Sequence, residues 1–146
     1  MSQFKQLTKN VFVTTQLDTA GVAQAAGAGF TLIINNRPDG EEAGQPAGDA
    51  LAQCAAAQGL QWASIPVAGG FPYDAIAAMA GALRDNTGKT LAFCRTGTRS
   101  THLWALAEAF NKGMDSTEML DRAAKAGYDI SALAETLDQI RQMDFT

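Results

Sequence analysis

The sequence predicts an α/β architecture, a mostly parallel sheet of four or five strands flanked by helices, and three observations lead to it. Short runs rich in β-branched or aromatic residues, bounded by Gly, Pro, Asn or Asp, alternate with Ala-rich stretches at helical spacing. Two of these runs, 30–35 and 90–94, are apolar on both faces, as central strands of a parallel sheet are. Beyond Cys94 the spacing is helical only, so the C-terminal third is expected to be helices packed on the sheet.

In chain order, strands are expected over 11–17, 30–35, 60–67 and 90–94. The first helix is expected from about Thr19 to Ala28, with Gly27 and Gly29 marking its end. A second runs from about Asp49 to Gln58 and stops at Gly59; a third runs from about Tyr73 to Leu83, with Pro72 at its start. Leu103, Leu106, Ala107 and Phe110 then repeat at i, i+3, i+4 and i+7, with Gly113 past the end. A helix from near Asp115, with Glu118 placed to pair across its first turn, stops near Gly127. The last carries Leu133, Leu137 and Ile140 on one face. The polar stretch from Asp39 to Gly48 breaks the pattern and reads as a functional or mobile loop.

Composition narrows the function classes. The chain has 146 residues, 47% apolar and 18% charged, which fits one folded domain over 1–146. Its net charge of −4 argues against a nucleic-acid or anionic-membrane surface. No apolar run approaches a membrane span, and the first ten residues lack the apolar core of a leader, so a soluble, cytoplasmic protein is expected. Cys54, Cys94 and His102 form neither a disulfide framework nor a zinc set. No metal or cofactor is expected, and nothing specifies a protein partner.

The chemistry concentrates in 91–102, Leu-Ala-Phe-Cys-Arg-Thr-Gly-Thr-Arg-Ser-Thr-His. A buried strand ends at Cys94, a turn containing Gly97 follows, and a helix starts near Arg99 or Ser100. That arrangement sets a thiol among backbone N–H groups at a helix N-terminus, where an oxyanion such as phosphate is expected to bind. The same field favours a thiolate and makes it nucleophilic. Arg99 offers a planar fork suited to a tetrahedral oxyanion. Arg95, Thr96, Gly97, Thr98 and Ser100 complete the ligand-binding loop, with the Ser100 hydroxyl placed to serve the sulfur or a leaving group. Cys54, by contrast, sits on a helical face and reads as packing. His102, one helical turn beyond Arg99, reads as a structural partner, and Trp62 and Trp104 read as core.

Cys94-Arg-Thr-Gly-Thr-Arg99-Ser100 resembles the cysteine-dependent phosphatase signature, although four residues rather than five separate the cysteine from the arginine. It equally resembles the Cys-Arg-Ser-Gly-x-Arg-Ser loop of single-domain rhodaneses, which carry a persulfide on the cysteine. The rest of the chain lacks the early Gly-His-Ile and the late Gly-Gly signals of a rhodanese. Segments 11–17, 33–41, 65–67, 94–100 and 123–129 make the chain similar instead to the bacterial beta-lactamase-hydrolase-like, phosphatase-like domain family. That resemblance implies a dual-specificity-phosphatase-like fold and leaves phosphatase and sulfurtransferase activity both open.

A phosphatase also needs a proton donor for its leaving alcohol. In dual-specificity enzymes an Asp usually follows the strand that corresponds to 65–67, but here that stretch reads Ala68-Gly-Gly-Phe-Pro-Tyr-Asp74. Asp74 is the nearest carboxylate, in the first turn of an expected helix. Asp39 is the alternative, because its segment leaves the C-terminal edge of a central strand, where α/β ligand sites form; Arg37 beside it would add a third cation. The sequence therefore supports a phosphate-monoester hydrolase working through a thiophosphoryl-enzyme intermediate. A sulfurtransferase with a persulfide on Cys94 and a non-catalytic anion-binding module are the alternatives.

Overall fold

The computed structural model describes residues 4–143. Five strands form one sheet: β1 (Lys5–Gln6), β2 (Val11–Thr14), β3 (Phe30–Asn35), β4 (Gln61–Ser64) and β5 (Lys89–Phe93). Their order is β1-β2-β5-β3-β4, with β1 antiparallel to β2 and the remaining pairs parallel. The two runs read as apolar on both faces, β3 and β5, are neighbours inside this sheet. Six helices surround it: α1 (Thr19–Gly27), α2 (Gly48–Ala57), α3 (Tyr73–Asp85), α4 (Thr98–Phe110), α5 (Ser116–Lys125) and α6 (Ala134–Gln142). A single 3-10 turn, Ser131–Leu133, precedes α6.

Strand periodicity divides the core in two. Leu91 and Phe93 of β5 join Ile33 and Phe30 of β3 against Val22 and Ala25 of α1 and Leu51 and Ala55 of α2. Ala92 of β5 joins Leu32 and Ile34 of β3 on the opposite face, against helices α3 to α6. Phe30 shares a face with Ile33, three residues on, because an irregularity between Phe30 and Leu32 breaks the two-residue alternation. Local rules set several helix ends. Asp18 Oδ1 accepts from Gly21 N at 2.8 Å, and Asp115 Oδ1 accepts from Glu118 N at 2.9 Å, each satisfying an orphan donor of a first turn.

Three features differ from the sequence reading. β2 and β4 stop at Thr14 and Ser64, short of the expected 17 and 67, because beyond them the chain peels away to form the site. β1 went unread: two polar, exposed residues on a sheet edge carry no alternation. The third difference is α4, which is buried nearly all round rather than on one stripe. Leu103, Trp104, Ala105, Ala107 and Ala109 have no exposed surface. Covered by the sheet on one side and by α3, α5 and α6 on the others, α4 is the central helix of its layer.

Among the described residues no helix is long and apolar enough to cross a membrane. No group of three or more His, Cys, Asp or Glu among them could hold a metal ion.

Candidate active site

Parallel strands deliver their C-terminal ends to one edge, and four of them bring the site together there. β2 leads to Gln16, β3 to Arg37, β4 to Val67 and β5 to Cys94. Backbone bonds lock these exits to one another. Asn36 N donates to Phe93 O at 2.8 Å, Val67 N to Asn36 O at 3.0 Å, and Gln16 N to Arg95 O at 3.3 Å. Asn36, fully buried, adds a side-chain bond from Nδ2 to Ile65 O at 2.9 Å.

Cys94, 1% exposed, lies at the base of the loop between β5 and α4. Its Sγ accepts a hydrogen bond from Gly97 N at 3.1 Å, so the loop curls back over its own sulfur. Gly97 sits at φ 91°, a left-handed conformation that a side chain disfavours. A Cβ there would also overlap the Tyr128 hydroxyl, which donates to Thr96 O at 3.1 Å. The Gly97 carbonyl accepts from Thr101 N at 3.0 Å and Thr101 Oγ1 at 2.8 Å, anchoring the loop to α4. The amides of Thr98, Arg99 and Ser100 precede the first intrahelical bond and give the site the positive end of a 13-residue helix.

Three guanidiniums and two carboxylates line an adjoining hollow of about 300 Å³: Arg37, Arg95, Arg99, Glu41 and Glu42, a formal surplus of one positive charge. Arg99 Nη1 and Nη2 each lie 2.8 Å from a different oxygen of Glu41, and Nη1 also donates to Val67 O at 2.8 Å. The Glu41 carboxylate is shared, since Arg37 Nε donates to its Oε1 at 2.8 Å. Hydrogen bonds from Arg99 and then Arg37 hold Glu41 well below the usual carboxylate range, at about 2. Glu41 is the strongest influence raising the Arg99 pKa, and Cys94 adds to it by charge and by hydrogen bonding. Arg95 is 63% exposed and lies 3.6 Å from Glu42 Oε1. Burial and the neighbouring Cys94 charge both push the Tyr128 phenol up.

The remaining expected residues fall as follows. Arg37, expected to offer a third cation to the ligand, is 3% exposed and spends Nε, Nη1 and Nη2 on Glu41, Gln16 and Glu42. Asp39 is exposed and accepts from Gly48 N at 2.9 Å through one oxygen, holding the start of α2. Asp74 is exposed in the first turn of α3. The Ser100 hydroxyl is buried and makes no hydrogen bond to the sulfur or to any other described group. Thr96 and Thr98 stand at the exposed rim, their hydroxyls 3.0 Å apart. His102 bonds Thr98 O through Nδ1 at 2.8 Å and stacks on Phe71, the structural part read for it. Glu41, Glu42, Gln16 and Tyr128 were not singled out from sequence. For Glu41 and Glu42 the one available signal was two acids in a loop leaving a central strand.

The fold is shared with phosphatases of known structure. A crystal structure of a candidate phosphatase from Neisseria meningitidis Z2491 superposes with a TM-score of 0.82 at 30% identity, covering 97% of this chain and 100% of that one. A kinase associated phosphatase, solved with serine replacing its catalytic-site cysteine, shares the fold at a TM-score of 0.72 and 16% identity, covering 97% and 96% of the two chains. Residues 3–111 match the family described as beta-lactamase hydrolase-like protein, phosphatase-like domain, and the chain belongs to that family. A beta-lactamase hydrolase-like protein of Agrobacterium fabrum is 35% identical over 112 residues, 76% of this chain and 26% of the relative. A Xylella fastidiosa relative is 31% identical over 91% of this chain. The chain thus spans under a third of the length of either of these curated relatives.

Proposed function

We propose that the chain is a cysteine-dependent phosphatase that hydrolyses phosphate monoesters through a thiophosphoryl intermediate on Cys94. The observation that carries this reading is the placement of the Cys94 sulfur under a loop amide, at the N-terminus of α4, beside a pre-oriented Arg99. The thiolate attacks phosphorus, the S–P bond forms and the P–O bond to the leaving group breaks. Loop amides and the Arg99 guanidinium hold the non-bridging oxygens as their charge develops. Water then displaces the thiolate, releasing inorganic phosphate. Asp39, through the oxygen not spent on Gly48, is our first choice to protonate the leaving alkoxide, and Asp74 is the second. Arg95, Thr96, Gly97, Thr98 and Ser100 form the cradle. The phosphatase family, and a fold neighbour whose cysteine is described as catalytic, support the assignment.

Hydrolysis of an activated aryl phosphate by wild type and by Cys94→Ser, with and without vanadate, tests it. Turnover lost in the variant and blocked by vanadate supports the reading; equal turnover by Cys94→Ser overturns it. The four-residue spacing from Cys94 to Arg99 favours sulfur transfer as the second reading, which predicts cyanide-dependent turnover of thiosulfate and none of the phosphate ester.

A further inference from the structure

A trans peptide unit is planar, so its carbonyl and its N–H point in opposite directions. Holding one residue's carbonyl to one side therefore aims the next residue's N–H to the other. In the cysteine loop three successive carbonyls are held by donors from elsewhere in the fold. Arg95 O accepts from Gln16 N at 3.3 Å, and Thr96 O accepts from the Tyr128 hydroxyl at 3.1 Å. Gly97 O accepts from Thr101 N at 3.0 Å and from Thr101 Oγ1 at 2.8 Å. The Thr96–Gly97 unit is the one whose other end reaches the sulfur, since Gly97 N donates to Cys94 Sγ at 3.1 Å. A single peptide plane thus joins the phenol to the thiol.

Arg95 O and Gly97 O each have a backbone donor, whereas the donor to Thr96 O is a side chain. That side chain is itself well fixed. α5 ends with Gly127 at φ 99°, and Tyr128 N donates back to Ala123 O at 2.8 Å, the longer bond of a Schellman ending. The ring packs against the core on the α3–α6 face of the sheet. Burial first, and the Cys94 charge second, push the phenol up, so it stays protonated and a donor at neutral pH. A lock is needed here, because glycine at 97 leaves the adjoining peptide free to turn over. A flipped unit would present the Thr96 carbonyl to the sulfur and withdraw the amide.

We propose, resting on the reading of Cys94 as nucleophile, that Tyr128 is a positioning residue whose hydroxyl holds the Thr96–Gly97 peptide with its N–H on the Cys94 sulfur. Tyr128 touches no reacting atom in this role. A hydrogen-bonded carbonyl also polarises the N–H of its own peptide unit, which strengthens the bond to sulfur. If Tyr128 served packing alone, its ring would matter and its hydroxyl would not.

The HNCO spectrum of the isotope-labelled full chain reads both ends of this plane in one cross peak, the Thr96 carbonyl carbon with the Gly97 N–H. In the wild-type background Cys94→Ala removes the acceptor and should shift the Gly97 amide proton upfield. In a Tyr128→Phe background, which keeps the ring, the same substitution should shift it by no more than about half as much. Thr101→Val is the control: it takes a hydrogen bond from the Gly97 carbonyl, and the response to Cys94→Ala should stay as in wild type. Tyr128→Phe is further expected to weaken tungstate binding about threefold or more, the worth of one hydrogen bond. A full Gly97 shift in the Tyr128→Phe background, an equal loss with Thr101→Val, or unchanged tungstate affinity in Tyr128→Phe overturns the proposal. Aryl phosphate turnover is read separately: wild type that hydrolyses nothing sinks the phosphatase reading and leaves the role of Tyr128 decided by the spectrum.

Discussion

Glu41 grips Arg99 by both terminal nitrogens, each 2.8 Å from its own carboxylate oxygen, and the same carboxylate receives Arg37 at 2.8 Å. One acid therefore ties an exposed loop to the end of β3 and to the first turn of α4. Such charge-assisted bidentate bonds are about twice as strong as neutral ones and fix direction as well as distance. They hold the arginine in place before any ligand arrives.

That pairing carries a pH signature. The Glu41 pKa falls from 4.5 to about 2 on folding, chiefly through Arg99 and then Arg37. Its stabilisation is therefore complete above the unfolded value of 4.5 and is lost as the pH drops toward 2. Urea unfolding followed across that window should show wild type losing stability more steeply than Glu41→Gln. Parallel curves would contradict the ion pairing.

Gly97→Ala should damage the loop twice, through the left-handed φ of 91° and through overlap with the Tyr128 hydroxyl. The expected cost is about 1 kcal/mol or more in stability, together with weaker oxyanion binding. Adding Tyr128→Phe should recover part of the loss by removing the overlapping oxygen. Thermal melts of the single and double variants check this, and an undamaged Gly97→Ala would refute it.

Most of the fold was legible because each buried strand and each helix stop carries a local cause. The apolar runs of β3 and β5 marked the sheet centre, and glycines at 29, 59 and 127 mark helix ends in left-handed conformations. The cysteine loop was legible for the same reason: strand, glycine turn and helix start are written in 91–102. What could not be read was which long-range partners the loop residues find. Arg37 looked like a ligand cation, yet its three donor groups turn inward, because only the tertiary fold brings Gln16, Glu41 and Glu42 around it. Tyr128 lies 32 residues from Thr96 in sequence, a separation that no periodicity encodes.

Ser100→Ala offers a test of the buried hydroxyl. Because Ser100 Oγ has no partner among the described groups, removing it forfeits no hydrogen bond, and stability should change by less than about 0.5 kcal/mol or rise. A loss above about 1 kcal/mol would show a partner that these contacts omit. A fall in turnover at unchanged stability would assign the hydroxyl to the reacting sulfur.

Asp39→Asn and Asp74→Asn separate the two candidate proton donors. Asparagine at 39 still offers an oxygen to Gly48 N, so α2 should keep its start and the melting temperature should hardly move. The true donor's variant should lose about 10²-fold on an alkyl phosphate while an activated aryl phosphate is spared. Full alkyl phosphatase activity in both variants would remove both residues from the mechanism.

The most direct test of Cys94 as nucleophile is the intact mass of the protein, trapped by rapid denaturation at neutral pH during turnover of an aryl phosphate. A gain of one phosphoryl group, mapped to Cys94 and missing from Cys94→Ser, is the predicted result. No phosphoryl adduct on Cys94 during steady turnover, or an adduct on another residue, would contradict it.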